Sequence, residues 1–262
     1  MGSATTQALA ASTAALNAAS VDLTTARELF SAARIVGESP QLSGALADPA
    51  AAPAARAKVV ADVFGSALGA TGLQLVTTAV QQRWSSADDL VEGIEELAVR
   101  AAARADAGTD IEGELFQVSR TVAANSELEL ALGSRLGDAA KKGTLAESVF
   151  SGRASEATVL IVSSLVAQGR GRRVRQLLTD AMRVVADERG RAVATVVTAT
   201  PLTDAQADRL RTLLSAKYNR QITLNTVVDP KVVGGLRVQV ADDVIDASIS
   251  SRLADLRQRL AG

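Results

Sequence analysis

The chain contains no cysteine and no histidine among its 262 residues. Without cysteine there is no disulfide framework, so nothing argues for a secreted fold, and a reducing compartment suits the chain. The two absences together remove the usual zinc ligands, the thiolate nucleophile and the commonest general base at neutral pH. Aromatic residues are scarce, at one Trp, one Tyr and four Phe, which leaves few platforms for stacking bases. Charge of one sign is lacking too: 28 basic residues face 29 acidic ones, a formal net charge of −1. That balance gives no overall field for nucleic acid or an acidic membrane surface. No uncharged apolar run reaches the roughly 18 residues that span a bilayer. The opening MGSATTQALAASTAAL lacks the basic leader and strongly apolar core of a signal peptide. A soluble, intracellular protein is expected.

What the chain does have is Ala, Val and Leu in quantity, the composition of close-packed helices, since Ala costs least in a helix interior and lets helices approach. Residues 4 to about 190 read as helix after helix. Leu23, Ala26, Leu29, Phe30 and Ala33 form an apolar stripe that stops near Gly37. Ser39-Pro40 opens a short helix, and Asp48-Pro49 ends it. Further helices are expected at about 53–64, 70–83, 87–107, 111–123, 126–136, 138–150, 154–168 and 171–189. Short connections carrying Gly, Pro, Asp or Ser suit antiparallel neighbours.

The period changes at Gly190. RAVATVVTA (191–199) is β-branched and reads as a strand. Thr203 is placed to cap a helix ending near Tyr218, with Gln206 as its capping-box partner and Asn219 as a left-handed C-cap. Residues 221–228 and 232–240 read as two more strands, and 243–260 as a closing helix. The expected fold is therefore mainly α with a small α+β module. A helical domain covers 1–190, and a βαββα module covers 191–262.

An internal similarity recurs at an offset of 86 residues: LSGAL (42–46) faces LELAL (128–132), and Val63-Phe64 faces Val149-Phe150. Val80 and Gln82 face Val166 and Gln168. With one residue inserted, Leu90, Ile94 and Leu97 face Leu177, Ala181 and Val184. Two helical repeats are expected, at about 39–107 and 125–190; shared composition is the competing explanation.

Motifs suggestive of chemistry are weak. GDAAKKGT (137–144) has its lysines before the second glycine and no strand feeding it, so no phosphate loop is expected. GRGRRV (169–174) lacks the third glycine of a dinucleotide fingerprint and follows a helix. Its arginines, with Arg175, form a patch (Arg170–Arg175) whose alternative reading is nucleic-acid binding. A solvated turn or a protein contact fits better, because no aromatics accompany it. Adjacent acids such as Asp88-Asp89 and Glu95-Glu96 lie about 100° apart on a helix, do not converge, and read as solvated faces. No catalytic, cofactor or metal site is expected.

Two passages carry a resemblance. VADERGRAVATVVTATPLT (185–203) and DPKVVGGLRVQVADDVIDASISSRL (229–253) resemble the ATP synthase delta subunit family, whose mitochondrial counterpart is the oligomycin-sensitivity-conferring protein. The family-like positions are Asp229, Pro230, Gly234, Gly235, Ile245, Asp246, Ser248, Arg252 and Leu253; Ala247 stands where glycine is common. The resemblance extends back through about 125 and is looser over 1–124. The chain is longer than the usual member, by a duplicated helical segment or by an insertion of the kind seen in actinobacterial relatives.

The resemblance implies a non-catalytic stator of the proton-translocating ATP synthase, peripheral to the cytoplasmic face of the plasma membrane, in one copy per complex. Its implied partners are the N-terminal segments of the alpha subunits and the C-terminal stalk helices of the b subunit. Nucleic acid, direct membrane insertion and cofactors are not implied. Helix-in-groove contacts would carry that grip. The candidate contacts are Val21, Leu23, Leu29 and Phe30 toward the head. Toward the stalk they are Val238, Val240, Val244 and Ile249.

Overall fold

The computed structural model describes residues 2–134, 137–230, 232, 234–240 and 243–246. They divide into two compact units, Met1–Val184 and Val185–Gly262. The first helices are α1 (Ser3–Ala18), α2 (Leu23–Glu38), α3 (Pro40–Ala47), α4 (Pro53–Phe64), α5 (Ala70–Gln81) and α6 (Ala87–Ala105). They are followed by α7 (Ile111–Ala124), α8 (Ser126–Gly133), α9 (Ala139–Phe150), α10 (Glu156–Ala167) and α11 (Val174–Glu188). Local chemistry sets many of the starts. Asp22, Ser39, Ser86, Asp110, Asn125, Asp138 and Ser155 each accept a hydrogen bond from the backbone N–H three residues on. Such caps satisfy amides that the helix itself leaves without partners.

The helices fall into two matching series. α3, α4 and α5 begin 86 residues before α8, α9 and α10, and each pair has the same length: 8, 12 and 12 residues. α6 begins 87 residues before α11. The match also reaches one helix further toward the N-terminus than the sequence offset suggested, because α2 and α7 end 86 residues apart. Their cores correspond side chain for side chain. Leu29 and Leu115, Leu46 and Leu132, Phe64 and Phe150, Leu75 and Ile161, and Leu90 and Leu177 are all buried.

α6 packs against α1, against α2, α3 and α5 of the first series, and also against α10 of the second. Being contacted from so many sides, it buries Glu95 and Arg100 along with its apolar stripe. Trp84, just before it, is buried and donates from Nε1 to the Ala79 carbonyl at 2.8 Å. Its ring lies on Gly93, where a Cβ would come within 2.1 Å of ring carbon Cη2. Any side chain at 93 would displace the Trp, so that glycine serves close packing.

The second unit contains β1 (Arg191–Thr198), α12 (Asp204–Tyr218), β2 (Gln221–Val228), β3 (Leu236–Val240) and β4 (Asp243–Asp246). The sheet order is β2-β1-β3-β4, with β1 parallel to β2 and antiparallel to β3. Thr203 and Gln206 form the expected capping box, and Asn219 adopts the left-handed conformation at φ 51°. Ala194, Val196, Leu214, Ile222, Val238 and Val240 make the module core.

Two expectations are corrected. The strand expected over 232–240 begins at Leu236, because Gly234 and Gly235 have φ of +67° and +78° and turn the chain first. The helix expected from Asp243 does not begin there: Asp243–Asp246 is β4, pairing antiparallel with β3 through Val238↔Ile245 and Gln239↔Val244. The remainder of that expected helix lies outside the described residues.

Candidate coupling surfaces

The arginine turn between α10 and α11 sends two of its arginines, Arg170 and Arg172, onto α6. Arg170 reaches Glu95 Oε2 at 3.2 Å and Arg172 reaches the same oxygen at 2.7 Å. Glu92 lies 3.6 and 3.8 Å from them, within ion-pair range, and Arg175 pairs with Glu129 at 2.9 Å. Three of the four arginines in the patch are thus engaged by carboxylates of the same chain. Those carboxylates offset the charge that a phosphate would meet there, which weakens the electrostatic basis of the nucleic-acid alternative.

Glu95-Glu96 is not a solvated face. Glu95 is 3 % exposed, and Glu96 is paired with the buried Arg100 at 2.7 Å. Burial pushes the Glu95 carboxyl above the usual carboxylate range, against the pull of Arg172 and Arg170. Beside it lies a cavity of about 160 Å³ between α1, α6, α10 and α11.

The residues expected to meet partners are placed unevenly. Leu29, Phe30, Val238 and Val240 are core residues, and as candidate contacts they are corrected. Leu29 and Phe30 lie on the face of α2 that carries Ala26, Ala33 and Val36 into the bundle, and Val238 and Val240 are held in the module core. Val21 and Leu23, flanking the Asp22 cap, are half-buried, and Val244 on β4 is exposed. Ile249 lies outside the described residues. Exposed apolar side chains that the sequence did not mark as contacts are Ile35, Val63 and Leu130 in the helical unit, and Leu213 and Val228 in the module. The stripe pattern gives no warning of them, because it identifies what faces the core.

Of the family-like positions, Asp229 and Pro230 stand at the exit of β2, where the Asp229 N–H donates to Thr198 O at 2.8 Å. Gly234 and Gly235 make the turn into β3, and Ile245 packs against the module core from β4. Asp246 is the last residue of β4; Ser248, Arg252 and Leu253 lie outside the described residues. The end of α12 is fastened to β4 by a polar cluster that sequence reading missed. Tyr218 donates its hydroxyl to Asp243, and Lys217 reaches the same carboxylate at 3.2 Å. Those two donors, Tyr218 first, hold the Asp243 carboxyl below the usual range.

Among the described residues, no group of three or more His, Cys, Asp or Glu side chains is placed to hold a metal ion, and no helix is long and apolar enough to cross a membrane. The polar side chains named above cap helices or join one element to the next. The fold they hold together is of the mainly helical class, a many-helix unit and a small mixed-sheet module. The family model for the ATP synthase delta (OSCP) subunit matches residues 97–260. An ATP synthase subunit delta of Leifsonia xyli is 49 % identical over 100 % of both chains. Another, from Streptomyces avermitilis, is 42 % identical over 90 % of this chain and 88 % of its own. A third, from Streptomyces griseus, is 39 % identical over the full length of both. The chain belongs to the ATP synthase delta (OSCP) subunit family. Its role is that of a stator subunit of the peripheral stalk.

Proposed function

We propose that the chain is a non-catalytic coupling subunit that joins the catalytic head of a rotary ATP synthase to its stalk and resists the torque of the rotor. Its helical unit takes N-terminal segments of the alpha subunits, and its C-terminal module takes the C-terminal helices of the b subunit. One copy serves each complex, at the cytoplasmic face of the plasma membrane. The observation that carries this reading is the extent of the family match. It begins inside α6 and continues through the second helix series and the C-terminal module, the two parts that such a bridge requires. The first helix series is the added length, a duplicate of the second; the shared offsets, helix lengths and buried positions support that origin.

Physical chemistry agrees with the role. A joint that must hold under load through repeated turnovers needs broad apolar contact with a polar rim, and no reactive groups. Val21, Leu23 and the exposed Ile35 are the head-side candidates; Val244, Leu213 and Val228 are those on the stalk side. The test is co-purification of the full chain, and of a chain ending at residue 190, with an isolated synthase head and with the b subunit. The full chain should hold both. The truncated chain should keep the alpha segment and lose b, and a full chain that holds neither overturns the reading.

A further inference from the structure

Glu95 is a carboxylate in a place that does not need one. It is buried in α6, its Oε1 meets no donor, and its Oε2 takes both Arg170 and Arg172. A buried ion pair repays its desolvation only when the remaining lone pairs are also satisfied, and here one oxygen is left over. The counterpart of Glu95 in the second series, 87 residues on, is Met182, which is also buried. The same position in the fold therefore accepts an apolar side chain. What the carboxylate adds is its hold on the turn between α10 and α11.

That turn is strained. Arg170 has φ +44°, a left-handed conformation disfavoured for a residue with a side chain. The bond from the Arg172 N–H to Gly169 O at 2.8 Å, a second from Arg172 Nε to the same oxygen at 3.3 Å, and the ion pairs to α6 help hold it in shape. The arginines have an alternative, since their side chains are already 23 % and 26 % exposed, with Glu92 and the well-exposed Asp88 at the surface beside Arg170.

We propose that Glu95 is an acid-operated latch: ionised, it holds the α10–α11 turn against α6 and so ties the second helix series to the first; protonated, it releases the turn. The groups around it leave this role to Glu95. On α6, Glu92 adds to the cost of its charge, Asp89 accepts from Thr5 of α1, and Glu96 is committed to Arg100. α11 brings Asp180 and Arg183 to the same cavity, while α1 and α10 bring Thr5, Leu9 and Leu165, none of them charged. Because burial raises the affinity of Glu95 for a proton, its neutral form is favoured by folding. If the turn lifts while α6 stays packed, Glu95 remains buried but loses the pull of Arg170 and Arg172, so the released state binds the proton more tightly still. Acid therefore loosens the turn, while this group's effect on overall stability runs the other way. The latch rests on the stator reading for its meaning, a load path that slackens in acid, and not for its test.

Hydrogen exchange on the full chain, resolved to short peptides and followed from neutral pH to about pH 5 with intrinsic rates removed, decides it. At neutral pH, Glu95→Gln should exchange the amides of 169–173 about tenfold faster than the parent chain, while α6 keeps its protection. The parent should approach the variant as pH falls, and the variant should not change. Glu95→Met, which places there the side chain its counterpart carries, should also fold and show a loose turn. If the turn is equally protected in the parent and both variants, if the parent's turn is indifferent to pH, or if both variants lose protection throughout α6 and α10, the latch is overturned. Since no partner is present, none of these results depends on whether the chain binds the head.

Discussion

Glu28 and Glu114 stand 86 residues apart, each on the first helix of its series, and each caps the helix three elements further on. Glu28 accepts from the Gly69 N–H at the start of α5 at 3.0 Å. Glu114 accepts from the Ser155 N–H at the start of α10, also at 3.0 Å. Here the series differ. Ser155 and Thr158 add their hydroxyls to Glu114, whereas Gly72, the counterpart of Thr158, has no side chain and leaves room for Glu28; a Cβ there would come within 2.4 Å of Glu28 Oε2. One geometry has been kept by two chemistries. What is shared is a carboxylate at a helix N-terminus, where the backbone amides want an acceptor. The ring of hydroxyls around it is free to change.

The sharpest way to break this equivalence is to cut the two cores alike. Phe64→Ala and Phe150→Ala remove matching buried rings, and each should cost about 3–5 kcal/mol in chemical denaturation. If one of the two changes were nearly silent, the cores would not be equivalent. A smaller contrast is expected at the caps. Glu114→Ala leaves three donors without their acceptor and should cost about 1–3 kcal/mol, with Glu28→Ala nearer 1 kcal/mol.

The pH profile should separate the two caps further. Burial pushes the Glu114 carboxyl up, but the bonds from Thr158 and Ser155 outweigh it and hold the group below its ordinary value. A lowered folded-state value means that its contribution is present above the unfolded value and is lost as pH falls through the folded one. Glu114→Ala should therefore flatten the acid side of the stability curve. An unchanged slope would place the linkage elsewhere.

Gly72→Thr, which imports the second series' residue into the first, should change stability by less than about 1 kcal/mol. The gain in helix propensity offsets the displacement of a flexible carboxylate tip. The smallest effect is expected from Arg27→Ala. Its exposed pair with Glu156 at 3.1 Å links the series, but such pairs contribute about 0–1 kcal/mol and fade with salt. Melting curves at low and high salt would show it.

The elements themselves were largely legible in one dimension. α4, α9 and β2 occupy the spans that apolar spacing and caps indicate to within a residue, because their apolar residues alternate or recur with a single period and their ends carry Ser, Asp, Pro or Asn. Misreadings arose where a residue's state is set by a partner outside its own element. Val244 and Ile245 fit a helix start as well as a strand, and what made them a strand is β3, which offers a free edge in register. Leu29 and Phe30 were legible as a stripe, yet a stripe does not say whether it faces its own bundle or a visiting helix. Glu95 looked like its neighbours on α6 until helices from both series closed over it.

By itself, the sequence determined the helical content, the caps, the βαβ opening of the module and the family, because each rests on local spacing or on residues that need no distant partner. It also excluded histidine and cysteine chemistry outright. Only the tertiary structure decided what the arginine turn is for. Arg170 and Arg172 acquired their role from a carboxylate some 75 residues away, because the strength of a charge pair depends on distance and burial in space, neither of which the order of residues records.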